Sequence, residues 1–108
     1  MLISPSVLNS NLGRLSEEIS KVEGVADLIH LDVMDNHFVP NLSFGLPVVA
    51  GVIAQTSLPV DVHLMIDDPD RWAPAYGEAG AYSVTFHIEA AKDPLTLSKN
   101  ISATGARV

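Results

Sequence analysis

Two short runs carry the residues able to do chemistry: His30-Leu31-Asp32-Val33-Met34 and Asp61-Val62-His63-Leu64-Met65. In an extended strand successive side chains point to opposite faces. His30, Asp32 and Met34 therefore share one face of the first run, and Ile29, Leu31 and Val33 share the other. The second run repeats the arrangement, with Asp61, His63 and Met65 opposite Val60, Val62 and Leu64. Alternation alone usually means a half-exposed strand with its polar side in water. Two strands with the same polar stripe point instead to a shared site. His30, Asp32 and His63 then make a facial set of two imidazoles and one carboxylate, suited to one divalent ion such as Zn²⁺, Fe²⁺, Mn²⁺ or Co²⁺. Cysteine is absent, so any metal must be held by imidazoles and carboxylates.

The elements that must position these residues follow a regular order. Leu2–Leu8 reads as a first strand, and Asn9-Ser10-Asn11 supplies turn and capping groups for a helix from Leu12 to Val22. Leu12, Leu15, Ile19 and Val22 form its apolar face, and Gly24 can end it. Asp27–Met34 is the second strand, followed by a long loop through Asn41 and Gly45. A helix with Pro47 near its start turns Val48, Val49, Val52 and Ile53 inward. The third strand is Val60–Ile66.

Asp67-Asp68-Pro69-Asp70 then opens a helix containing Trp72 and Tyr76. Its carboxylates are read as capping the helix and favouring the positive end of its dipole, not as a metal site. Trp72 is read as a packing residue. Ala81–Ile88 is a fourth strand, Asp93-Pro94 starts a helix with Leu95, Leu97 and Ile101, and Ala106-Arg107-Val108 resembles the start of a fifth strand.

Strand and helix alternating in this way indicate a parallel sheet of βα units. Central strands of a doubly wound sheet are covered on both faces and read as continuous apolar runs. These strands each carry one polar stripe instead: Ser4 and Ser6, then His30, Asp32 and Met34, then Asp61, His63 and Met65, then Thr85 and His87. Polar residues converging on an axis with helices outside predict an α/β fold of the (β/α)₈ TIM-barrel type. The 108 residues supply four βα units and the start of strand five, so residues 1–108 read as the N-terminal half of one barrel domain. Ser6, Asp32, Met34, His63, Met65 and His87 lie toward the carboxyl ends of their strands, where barrels place their chemistry. His37 is read as a loop residue, His87 as a hydrogen-bonded core group, and Asp35 as a loop former.

Thirteen acidic residues against six basic ones give a formal charge of −7. No basic stripe exists to neutralise phosphates, which argues against nucleic-acid or anionic-membrane partners. No basic n-region and no apolar run of bilayer-spanning length is visible, so the expected location is the cytoplasm.

The runs Ile3-Ser4-Pro5-Ser6-Val7-Leu8, His30 through Asn41, and Asp61-Val62-His63-Leu64-Met65 closely resemble the ribulose-phosphate 3-epimerase family, and the resemblance continues through Thr85-Phe86-His87-Ile88-Glu89-Ala90. It implies that His30, Asp32 and His63 bind the divalent metal and that Asp32 is also an acid/base. It further implies that Ser6 and His63 contact a sugar phosphate, and that Met34 and Met65 line the wall beside the reacting carbons. Asn36, His37, Phe38, Val39, Pro40 and Asn41 would form the lid loop. The implied reaction interconverts D-ribulose 5-phosphate and D-xylulose 5-phosphate, by removing a proton from carbon 3 and returning one to the opposite face through an enediolate. In the family the second acid and the phosphate grip come from later strands and loops, so this chain alone is expected to be inactive. Two alternatives stand beside this reading: an epimerase for another ketose phosphate such as D-allulose 6-phosphate, and a non-catalytic half-barrel that self-associates through its open sheet edges as a homo-oligomer.

Overall fold

The computed structural model describes all 108 residues, Met1–Val108. Three parallel strands form its sheet in the order β1 (Ile29–Met34), β2 (Val60–Met65), β3 (Ser83–Phe86). Four helices accompany them: α1 (Leu15–Ser20), α2 (Leu46–Gln55), α3 (Pro69–Glu78) and α4 (Pro94–Ala103). β1 and β2 pair over their full lengths, His30 opposite Asp61 and Asp32 opposite His63. β2 and β3 place His63 opposite Thr85.

The apolar stripes predicted for the strands are the ones that are buried. Ile29, Leu31, Val60, Val62, Leu64 and Val84 join Ile19 of α1, Val49 and Val52 of α2, Ala73 and Tyr76 of α3, and Leu97 and Ile101 of α4 in one contiguous cluster. All four helices thus cover the same face of the sheet. The other face keeps the polar stripe, and no polar or charged residue is fully buried. A doubly wound sheet would need apolar cover on both faces, so the one-sided cover fits barrel-type βα units.

Several predicted elements are shorter than their sequence suggests. Leu2–Leu8 is not a strand: only Ser6 pairs, in parallel with His30. Pro5 cannot donate to a ladder, although its carbonyl accepts from His30 N–H at 3.0 Å. The chain then turns into a single 3₁₀ turn, Val7–Asn9, capped when Ser6 Oγ accepts from Leu8 N–H. The helix expected over Leu12–Val22 divides into a 3₁₀ turn, Leu12–Arg14, and α1. Leu12 lies in the turn with its side chain exposed, while Leu15, Ile19 and Val22 still pack inward. The fifth strand is reduced to one parallel bridge, Ser83 with Arg107.

Four side chains differ from expectation. Val48, expected on the inward side of α2, is exposed, leaving Val49 and Val52 to dock the helix. Trp72 is 45% exposed, its ring covered on one side by the Arg71 guanidinium 4.5 Å away, and so is a half-buried surface residue and not a core one. Leu95 is exposed, leaving Leu97 and Ile101 to dock α4. Asp68, at the N-cap of α3, makes no side-chain capping bond. The useful carboxylate there is Asp70. Its two oxygens accept from Lys92 N–H at 2.9 Å and Asp93 N–H at 3.1 Å, tying α3 to the segment that starts α4.

Those two backbone donors hold the Asp70 carboxyl below its ordinary range. A depressed folded-state value means that the stability gain is complete above the unfolded value, about 3.9, and is lost as pH falls through the folded one. Solvent screening keeps the effect of this exposed latch to about 0.5–1 kcal/mol. Asp70→Asn is therefore expected to flatten the acid limb of stability below about pH 4. Urea midpoints between pH 3 and 7 measure it. An unchanged acid limb would show that the latch contributes nothing.

Candidate metal centre

The polar face of β1 and β2 brings three sequence-predicted residues to one point. One ligand-type atom from each of His30, Asp32 and His63 lies within 4.8 Å of the others. The parallel register is the reason: Asp32 sits directly opposite His63, and His30 lies two residues earlier on the same face. His30 Nε2 is 3.2 Å from Asp32 Oδ1, and His63 Nδ1 is 3.0 Å from the same oxygen. Bonds of about 2.1 Å at tetrahedral or octahedral angles impose donor separations of about 3.0–3.4 Å. Both separations from Asp32 Oδ1 fall in this range, and the donor set of His30, Asp32 and His63 suits a divalent ion.

Each ligand is oriented by an outer partner, as metal-binding groups generally require. Asp61, opposite His30 in the register, contacts His30 Nδ1 at 2.7 Å and leaves Nε2 toward Asp32. Ser83 Oγ in turn donates to Asp61. Ser6 Oγ donates to Asp32 Oδ2 at 2.9 Å, the only side chain from the N-terminal segment to reach the site. Ser43 pins the backbone: its hydroxyl donates to Asp32 C=O at 2.6 Å and accepts from Met34 N–H at 3.0 Å. Burial pushes the Asp32 carboxyl up, but hydrogen bonds from Ser6 and His63 and the nearby His30 ring outweigh it, and the net shift is downward. Asp32 is thus an ionised acceptor at neutral pH.

Met34 and Met65 stand opposite one another at the carboxyl ends of their strands, one step beyond Asp32 and His63. Met34 is buried yet lies outside the apolar cluster, and Met65 is partly exposed. The loop over residues 36–41 is closed at its base by the Asp35–Leu42 bridge and by Asn36 N–H donating to Asn41 C=O at 2.8 Å. Asn36 adopts φ 60°, a left-handed conformation that asparagine tolerates better than most residues. Asp35 Oδ1 accepts from both His37 and Phe38 N–H at 2.9 Å, and its other oxygen accepts from Asp67 N–H at 2.8 Å. It is a loop former, as read, and also joins the loop to the end of β2. Within the loop His37 is exposed, whereas the Phe38 ring tilts against His87, 5.1 Å between centroids.

Two partners of the site were not assigned to it from the sequence. Asp61 was visible only as part of a polar stripe, and its place beside His30 depends on strand register. His87 reaches the site as well: its Nε2 lies 2.8 Å from His63 Nε2. The placement of His87 on the same stripe at a strand end was the available signal.

Helices on one face of a parallel sheet, and on the other a His–Asp–His group that could hold a metal ion, are those of a βα-barrel unit. The comparisons with known proteins agree. The model of the ribulose-phosphate 3 epimerase family matches residues 2–108, and the chain belongs to that family. Over 106 residues, 98% of the chain, it is 57% identical to a ribulose-phosphate 3-epimerase of Mycobacterium tuberculosis and 54% identical to one of Mycobacterium leprae. A Bacillus subtilis ribulose-phosphate 3-epimerase is 51% identical over 82% of the chain. The chain spans about half the length of the curated relatives it matches, 46%, 47% and 41% respectively. No helix is long and apolar enough to cross a membrane.

Proposed function

We propose that residues 1–108 supply the metal-binding side and one proton-transfer group of an epimerase interconverting D-ribulose 5-phosphate and D-xylulose 5-phosphate. The observation that carries this reading is the convergence of His30 Nε2, Asp32 Oδ1 and His63 Nδ1, in a chain that belongs to this family. A divalent ion bound there would supply positive charge to the oxygens of the enediolate as it forms. Asp32 accepts the proton from carbon 3, its carboxylate kept ionised by Ser6 and the two imidazoles. Ser6 and His63 contact the sugar, Met34 and Met65 wall off the reacting carbons, and residues 36–41 close over them.

Inversion needs a second acid on the opposite face of the substrate. The 108 residues bring no other carboxylate to Asp32, and Asp61 is engaged with His30 and Ser83. The chain alone therefore cannot invert carbon 3, and at most exchanges a proton on the Asp32 face. The polar face of the sheet, and its edges at Ser6 and Arg107, are places for the rest of a barrel or a second copy of the chain to close.

Proton NMR in deuterated water, with D-ribulose 5-phosphate and D-allulose 6-phosphate side by side and Zn²⁺ or Fe²⁺ present, tests this. The expected result is deuterium at carbon 3 of ribulose 5-phosphate with no xylulose 5-phosphate. Inversion by the chain alone would contradict the one-sided site. Faster exchange of the allulose sugar would move the substrate assignment to it.

A further inference from the structure

We propose that the cleft between the carboxyl end of β1, the start of α2 and α3 is a second binding site, for a small, flat, uncharged molecule that is mainly apolar and carries a hydrogen-bond acceptor. It stands apart from the metal centre: His30, Asp32 and His63 do not line it. Its volume is about 530 Å³, within the range of about 300–1,000 Å³ usual for small-molecule sites. Phe44 and Leu46 come to it from the approach to α2, Ile66 and Trp72 from the end of β2 and from α3. Leu42 and Trp72 are exposed there, apolar surface that an occupant would cover.

Tyr76 gives the cleft its polar contact. It is only 5% exposed and packs in the apolar cluster. A buried tyrosine usually finds a partner for its hydroxyl, but burial alone pushes this phenol up and no hydrogen bond acts on it. No sealed side-chain oxygen or nitrogen in the chain lacks a partner, so this hydroxyl is not sealed. It opens to the cleft that Tyr76 lines.

The other oxygen-bearing side chains of the wall are committed. Asp35 accepts from the backbone N–H groups of His37, Phe38 and Asp67. Ser43 donates to Asp32 C=O and accepts from Met34 N–H. The Tyr76 hydroxyl is therefore left to donate, and the occupant must accept. The Asp35 carboxylate and the formal charge of −7 disfavour an anion. A cation would lose its water to apolar walls without gaining a free acceptor.

Acetophenone and ethylbenzene share a ring and nearly a size, and only the first carries an acceptor. Both are titrated into the native chain, with NMR of the Leu46 and Ile66 methyls and of the indole N–H of Trp72, the sole tryptophan. Tyr76→Phe removes the hydroxyl and keeps the ring. Gly45→Leu adds volume at the wall: the backbone there is extended, at φ −120°, and a Cβ would meet only the Pro47 ring at 3.9 Å.

Saturable shifts at these three residues are expected, with acetophenone bound about 2–10-fold more tightly than ethylbenzene, the usual net value of one hydrogen bond. Tyr76→Phe should erase that preference and leave ethylbenzene binding unchanged; Gly45→Leu should weaken both. A folded native chain with no saturable shifts, or with equal affinity for the two molecules, would overturn the proposal. So would a folded Tyr76→Phe chain that keeps the preference, which decides the matter if Gly45→Leu does not fold. Shifts of the same resonances with protein concentration alone would give the cleft to a second copy of the chain instead.

Discussion

Asp32→Asn is expected to weaken divalent-ion binding at least about 100-fold, and to abolish proton exchange at carbon 3 of the bound sugar, a loss of about 10²–10⁴-fold. Asparagine keeps the shape and one oxygen but removes the charge. Four groups lean on that charge: Ser6 Oγ at 2.9 Å, His30 Nε2 at 3.2 Å, His63 Nδ1 at 3.0 Å, and the ion they would share. Asparagine also brings an N–H donor. Turned toward the histidines, it would compete for the bare nitrogens that a metal requires. The carboxylate is held below its usual range by Ser6, His63 and His30, so its loss should also lower the urea midpoint at neutral pH. Calorimetric titration with Zn²⁺ and the exchange rate measure the two losses separately. Unchanged exchange with weakened binding would show that Asp32 is a ligand and not the base.

The second large effect concerns the opposite side of the same strand. Leu31→Ala removes a side chain that is fully buried between the two residues doing the chemistry. A cavity of that kind costs about 2–5 kcal/mol, depending on how far the surroundings collapse. A domain of this size has about 5–15 kcal/mol in all, and this sheet is covered on one face only, so the lower part of that range applies. Leu31 packs in the cluster that docks all four helices onto the sheet. Its loss should lower the urea midpoint sharply, and should loosen His30 and Asp32 together because they flank it on the strand. A midpoint shift of less than 1 kcal/mol would mean that β1 is not held by its apolar face. Metal affinity should fall here only as the sheet loosens, whereas Asp32→Asn removes a ligand directly and keeps the native core.

The two faces of β1 and β2 were legible in the sequence because a period of two leaves little choice once one face is apolar. His30, Asp32 and His63 could be grouped for the same reason, since parallel neighbours with matching stripes bring their polar residues together. Register is a different matter. That Asp61 falls opposite His30, and that His87 Nε2 meets His63 Nε2, depends on offsets between strands that no single segment encodes. The first strand was overread because Leu2, Ile3, Val7 and Leu8 have β-type side chains. Pro5 and the capping hydroxyl of Ser6 instead favour a single pairing followed by a tight turn. Trp72, read as a packing residue, is half exposed, and the Arg71 guanidinium gives its ring a partner at the surface. The acidic cluster at residues 67–70 was rightly assigned to structure, but the bonds run to Lys92 and Asp93 and not to the N-cap of α3.

The most direct test of the His30–Asp32–His63 centre is a Co²⁺ titration of the native chain, followed by calorimetry and visible absorption, beside a variant carrying His30→Ala and His63→Ala. One ion per native chain is expected, with an absorption spectrum of nitrogen and oxygen ligands, and binding at least about 100-fold weaker in the double variant. Equal affinity in the two proteins, or no binding by a native chain whose sheet is folded, would contradict it.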